Sequence, residues 1–493
     1  MRKLVLPALI ALALDAGAAD PDFSLTVYSS ARPGQIDIQR LAQYGEHLPG
    51  YALVRDERVM RLERGRQELR FSDVAARMDP TTVGFLSLTD GPGTRVIEQN
   101  YQYDLVSGAK LLERYLGETI TVEQARGESV ERLTGELLSA QGGITLRLTS
   151  GEVATLTGWS AIRYPSLPGG LITRPTLVWL VDAARGGDHR VRVSYQAQGL
   201  TWWSDYNVVL DESQGCRMDM GAWITLVNQS GGSFPNAQLK LVAGDVHRAP
   251  AAPPAYPMMV RTAELAAPAG ADGFQQSELF EYHLYTLGRR TDLPNNATKQ
   301  IELFPTASGA RCEKKLVFTA APEVRTFWGG PNLHQGFAAT QRGEVGAFLE
   351  FENREDNRLG MPLPAGRVRV NQVSRDGSLE FIGEDVIRHT PRNERLSLKL
   401  GTAFDIVGER RQTSFRIDRD KRWMEESFEI EVRNRKKEAA SVVVREYLYR
   451  WSGWNITAES VKHVRRDAQT IEFPLSIPAD GEVKLTYSVR YTW

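Results

Sequence analysis

The stretch from Tyr195 to Leu210, "YQAQGLTWWSDYNVVL", decides how this chain is read. Side chains alternate between the two faces of a strand. Trp202, Ser204, Tyr206, Val208 and Leu210 therefore share one largely apolar face, and Trp203, Asp205, Asn207 and Val209 share the other. The two adjacent tryptophans point apart. Trp202 is expected in the core of a β-sandwich. Trp203, beside two polar neighbours, is the aromatic available to a sugar ring or a peptide, unless a neighbouring domain or loop covers it.

Working outward, "HRVRVSYQA", "TWWSDYNVVL", "CRMDMGAWITLVN" and "AQLKLVAGDV" are four successive strand candidates with turn residues between them. That spacing predicts an antiparallel sandwich. Residues 247–277 are rich in Ala and Pro without a period and are read as a mobile loop. Strand patterns then resume in "LFEYHLYTL" and "TKQIELF", and "VRVNQVSRDGSLEFIG" predicts a hairpin with Asp376-Gly377 at its tip. Upstream, "RVMRLERGRQELRF" alternates on either side of Gly65, and "GITLRLTSGEVATL" turns at Ser150-Gly151. One short helix is expected near residues 108–116, where Ser107 is placed to cap and Gly117 to terminate. In the last strand Val483, Leu485, Tyr487, Val489, Tyr491 and Trp493 line one face, opposite charged and hydroxyl residues. The expected fold is mostly β: antiparallel sandwiches, with an N-terminal β domain at 20–168, a central sandwich at 171–395 and an immunoglobulin-like sandwich at 396–493.

At 493 residues the chain is long enough for several domains. Its 60 Lys and Arg against 61 Asp and Glu leave no basic stripe for nucleic acid. The opening "MRKLVLPALIALALDAGAAD" has a basic start, an apolar run from Leu4 to Leu14, and small residues up to Ala18 and Ala19. This is the pattern of a signal peptide over residues 1–19, cleaved near Ala18 and Ala19. The run is short for a bilayer span, and no later segment has the length and apolarity of a transmembrane helix. Cys216 and Cys312 permit one disulfide in an exported chain, or stay two free thiols.

The phrases "SYQAQGLTWWSDY", "WITLVNQSGGSFPNAQLKLVAGDV", "FEYHLYTLGRRTDLPNNATKQIELF", "RLGMPLPAGRVRV" and "IGEDVIRHTP" together resemble the bacterial exported domain-of-unknown-function family 4139, distantly similar to mucoidy-inhibitor-A-like proteins. The likeness runs through nearly the whole mature chain. It implies a β-rich protein of the periplasm or cell envelope with no established catalytic residues. Among the matching positions, Gly244 suits a turn needing positive φ, and Asn228 suits a side chain that braces a turn.

No nucleophile elbow, HExxH or Gly-rich phosphate loop is present. Asp245 and His247 stand two apart, on one face if extended, and His283 follows on the strand after the Ala/Pro loop. Two ring nitrogens and a carboxylate suit a metal or an acid–base pair; the alternative is three unrelated surface side chains. The residues selected for binding are thus Trp203, Asp205, Asn207, Asp245, His247 and His283. No catalytic residue, metal or cofactor is expected. Three readings follow: a non-enzymatic envelope protein binding an envelope protein or glycan, a carbohydrate-binding or carbohydrate-active protein, and an outer-membrane barrel suggested by the alternating, aromatic-ended last strand.

Overall fold

In a computed structural model, residues 21–28, 31–102, 106–126, 129–168, 171–212, 215–244, 246, 274–279, 282–321, 329–374 and 376–493 are described. Residues 1–19, read as a signal peptide, Asp245, His247 and nearly all of the Ala/Pro stretch lie outside them. Among the described residues the fold is mostly β-strand, arranged in five sheets, with one short helix at Gly108–Arg114, single turns of helix between residues 38 and 47, and one more turn at Glu355–Asn357. The Ser107 hydroxyl caps that helix by accepting from the Lys110 amide at 3.2 Å, and Gly117 follows at φ +82°. Leu116 lies beyond the helix's end and is half exposed.

Two sheets and a flanking third share the largest core. An eight-stranded sheet contains Asp22–Tyr28 between Tyr51–Leu62, its antiparallel partner, and Phe234–Ala243, its parallel partner. A five-stranded sheet runs in the order Ala297–Arg311, Arg217–Asn228, Leu200–Asp211, Gly366–Val373, Leu379–Ile387. The even face of Leu200–Asp211 is buried as parity requires, with Trp202, Ser204, Tyr206, Val208 and Leu210 all at or below 3% exposure. The Trp202 indole donates to the Val27 carbonyl at 3.1 Å, so it crosses between the two sheets. Burying an indole removes ~150–250 Å² from water, which at ~25 cal/mol/Å² stabilises by up to about 4–6 kcal/mol. Gly244, just past Phe234–Ala243, has φ +136°, and a Cβ there would meet the Tyr282 ring.

Hydrogen-bonded pairing crosses the boundaries at 168/171 and 395/396. Thr176–Ala183 pairs with Gly65–Ser72 and Thr94–Gln102, and Gly187–Gln198 pairs with Tyr51–Leu62. Between them, residues 119–163 form a separate five-stranded sheet with its own small core around Val122, Leu137 and Leu146. Tyr51–Leu62 and Gly65–Ser72 flank Gly65 as the alternation suggests, but they join different sheets instead of pairing as a hairpin. The turns at Ser150-Gly151 and Asp376-Gly377 do close paired hairpins. The strand Phe274–Leu279 begins inside the stretch read as loop.

The nine-stranded sheet takes in Glu313–Thr319 and Thr340–Glu352 besides the strands after residue 395. It curls over its own core. Thr470–Ile477 and Glu482–Thr492 are remote in the strand order, yet their Phe473 and Tyr487 rings meet at 5.3 Å between centroids. Cys216 and Cys312 are disulfide-bonded, with Cα atoms 5.1 Å apart across 96 residues. Asn228 braces the turn after its strand: its amide reaches the carbonyls of Gly232, Leu293 and Pro294 at 2.9–3.1 Å, and its Oδ1 accepts from the Ser230 amide. Asn434 does the same at the end of Trp423–Asn434, reaching Glu438 and Pro478. No helix among the described residues is long and apolar enough to cross a membrane.

Candidate functional site

The odd face of Leu200–Asp211 lies on the outer side of the five-stranded sheet, and register sets its neighbours. Asp205 stands opposite Trp223 on one side and Arg367 on the other; Asn207 stands opposite Gly221 and Arg369; Trp203 stands opposite Thr225. Arg369 in turn faces Glu384. The parallel strand Gly366–Val373 comes close because Gly366 has no side chain: a Cβ there would lie 2.5 Å from the Ser204 carbonyl. The Tyr206 hydroxyl donates to the Pro364 carbonyl at 2.8 Å and fixes the start of that strand, and burial pushes its phenol far up.

Trp203 is covered. Residues 31–48 cross this face of the sheet, and Ile36, Leu48, Trp203 and Val227 make a small core of their own, with Leu41 and Tyr44 against it. Trp203 is 8% exposed, and its indole donates to Asp205 Oδ2 at 2.8 Å. The aromatic that does reach solvent is Trp223, at 41% exposure. Parity in "CRMDMGAWITLVN" carries that signal: Met218, Met220, Ala222, Ile224 and Leu226 are the buried set, and Trp223 falls with Arg217, Asp219 and Gly221 on the other. Sequence reasoning applied this alternation to one strand and missed it in the next. It also missed Arg367 and Arg369, the polar positions of "GRVRV".

Together these side chains border an open cleft of about 570 Å³ between the sheet and residues 34–39, lined by Trp203, Asp205, Asn207, Trp223, Gln300, Arg367 and Arg369 among others. Its charges are balanced but loosely engaged. Asp205 Oδ1 lies 3.7 Å from Arg367 Nε and 3.4 Å from Arg369 Nη1; Glu384 lies 3.9 and 3.6 Å from the same two arginines. Charge-assisted hydrogen bonds run nearer ~2.7–2.9 Å. Arg367 Nε is buried without a hydrogen-bond partner among the described residues. The cleft thus holds two guanidinium groups neutralised by loosely placed carboxylates, next to an aromatic face and the exposed amides of Asn207 and Gln300.

The structure brings Trp203, Asp205 and Asn207 to this cleft. His283 lies elsewhere, opposite Ala243 in the eight-stranded sheet, its Nδ1 2.8 Å from the Gln276 amide nitrogen. Among the described residues no three His, Cys, Asp or Glu side chains gather as a metal site. No known family model matches this chain, and no curated protein matches it either.

Proposed function

We propose that this protein is a non-catalytic binding protein of the periplasm or cell envelope whose site is the Trp223 cleft, and that its ligand is a glycan. The observation that carries the reading is the exposed Trp223 ring set in register beside Asp205, in a cleft rimmed by planar hydrogen-bonding groups. A pyranose offers an apolar face for stacking and a ring of hydroxyls for such groups. The cleft's lining balances Arg367 and Arg369 against Asp37 and Asp205, which favours a neutral ligand over a strongly charged one. Asp205 and Glu384 are each shared between the two arginines, which suits holding hydroxyls better than donating a proton to a leaving group.

Export is supported by the leader-like first residues and by the Cys216–Cys312 bond, a feature of oxidising compartments. The curled nine-stranded sheet is part of the same proposal as an immunoglobulin-like sandwich, supported by the contact between its remote strands. The test is tryptophan fluorescence during titration with a broad panel of soluble glycans. A member of the panel is expected to shift the emission, and Trp223→Ala to weaken binding by about 2 kcal/mol, roughly thirtyfold. A wild-type protein silent across the panel, or a Trp223→Ala variant that binds undiminished, overturns the reading.

A further inference from the structure

We infer that the Trp223 cleft is one end of a longer groove, and that its ligand is a linear chain of several sugar units. This rests on the reading of Trp223 as a glycan platform and goes beyond it by fixing the ligand's length. The observation is a second cavity of about 450 Å³, bordered by Leu41, Gly45, Arg77, Gln229, Asn296 and Thr298. Residues 34–45 wall both cavities, the first from Gly34 to Gln39 and the second from Leu41 to Gly45. The covering segment thus sits across the middle of the sheet face and leaves a hollow on each side.

The floor is continuous. Thr298 borders the second cavity and Gln300 the first; they are consecutive outward positions on Ala297–Arg311, opposite Val227 and Thr225. Trp223 pairs with Glu302 on the same strand. From Ala297 to the level of Glu302 the backbone advances by ~17 Å at ~3.3 Å per residue, more than one pyranose ring covers. Ala297–Arg311 is the terminal strand of its sheet among the described residues, and the exposed outward positions Thr298, Gln300 and Glu302 along it give the path past the covering segment.

The two ends differ in chemistry. Trp223 offers stacking at one; the other offers Arg77, Gln229, Asn296 and Thr298 without an aromatic. The cover is held by apolar contacts of Ile36, Leu41, Tyr44 and Leu48, and by polar ties that include Arg77 Nη1 donating to the Gly45 carbonyl at 2.6 Å and the Gln229 amide donating to the Leu41 carbonyl at 3.3 Å. Stacking fixes one sugar unit at the near end, and hydrogen bonds at the far end are reached only by a chain long enough to pass the cover.

The experiment measures affinity against chain length, from monomer to hexamer, for β-1,4-linked glucose, β-1,4-linked N-acetylglucosamine and α-1,4-linked glucose, with the full mature chain. In a series that binds, affinity is expected to rise about tenfold or more between dimer and hexamer. Thr298→Tyr, an exposed position where a ring fills the far hollow, is expected to remove that rise, with the urea midpoint measured alongside as the control for folding. Gln229→Ala is the second variant and is expected to reduce it. Equal affinity for short and long chains, with Trp223→Ala still weakening binding, overturns the groove and leaves the Trp223 reading in place. A rise that survives both far-end substitutions also overturns it. Absence of binding at any length removes both readings.

Discussion

Two arginines and two carboxylates meet in the nine-stranded sheet and again on the face of the five-stranded one. In the first set, Arg410 Nε lies 2.8 Å from Glu446 and Arg450 Nε 2.7 Å from Glu426, and all four side chains are sealed from solvent. The Arg410 guanidinium stacks 3.6 Å from the Phe428 ring centroid. Arg450 donates to the carbonyls of Asn332 and His334, and Arg410 to that of Ala338, so the set holds the chain between Asn332 and Ala338 against the core. In the second set, Arg367 and Arg369 are about one-third exposed and keep 3.4–3.9 Å from Asp205 and Glu384. The same residue types serve opposite ends. Without water, desolvation has to be offset by close ion pairing and ring contacts. Beside water, loose pairing costs little and leaves donors for a visitor.

The comparison breaks most visibly at Glu446. Glu446→Ala strands the Arg410 charge in the core and is expected to cost about 3–5 kcal/mol, read from urea denaturation; a loss below about 1 kcal/mol would put the sealed set on the footing of an exposed pair. An intermediate case sharpens the contrast. Burial alone would raise the Glu472 carboxyl, but Arg445 at 2.7 Å, Lys315 at 3.5 Å and Arg466 at 3.4 Å hold it below its ordinary value. A depressed carboxyl adds stability above its ordinary pKa of about 4.3 and loses it as pH falls through the depressed value. Wild type and Glu472→Gln should therefore separate at neutral pH and converge in acid, and midpoints that stay parallel across pH would exclude this linkage. The smallest effect belongs to the cleft. Arg367→Gln is expected to change stability by less than about 1 kcal/mol, and less in high salt, while weakening the fluorescence response to glycan. A stability loss matching that of Glu446→Ala would make the cleft arginines structural.

Local patterns were legible in the sequence where one strand or one turn carries the information. The even face of Leu200–Asp211, the Ser107 cap, the turns at Gly151 and Gly377 and the buried row Leu485, Tyr487, Val489 and Tyr491 all follow from period and turn chemistry. What covers Trp203 was not, because the cover comes from Ile36 and Leu48, far off in sequence, in a segment with no period of its own. The arginines opposite Asp205 and Asn207 come from a parallel strand about as remote, and strand parity fixes a side chain's face without fixing its neighbour. The separation of Tyr51–Leu62 from Gly65–Ser72 fails for the same reason: alternation marks both strands and is silent about which sheet each joins.

The parallel seating of Asp22–Tyr28 beside Phe234–Ala243 bears on the order in which the molecule can be finished. A ribosome delivers Asp22 roughly 10–40 s before Phe234 at ~5–20 residues per second. Through that interval Leu25 and its neighbours have Tyr51–Leu62 on one side and a bare row of amides and carbonyls on the other, a template for wrong pairing. Completion of the sheet is a late, long-range event, the kind that slows folding. A nascent chain released before Ala243 would keep that open edge however well its first strands had formed.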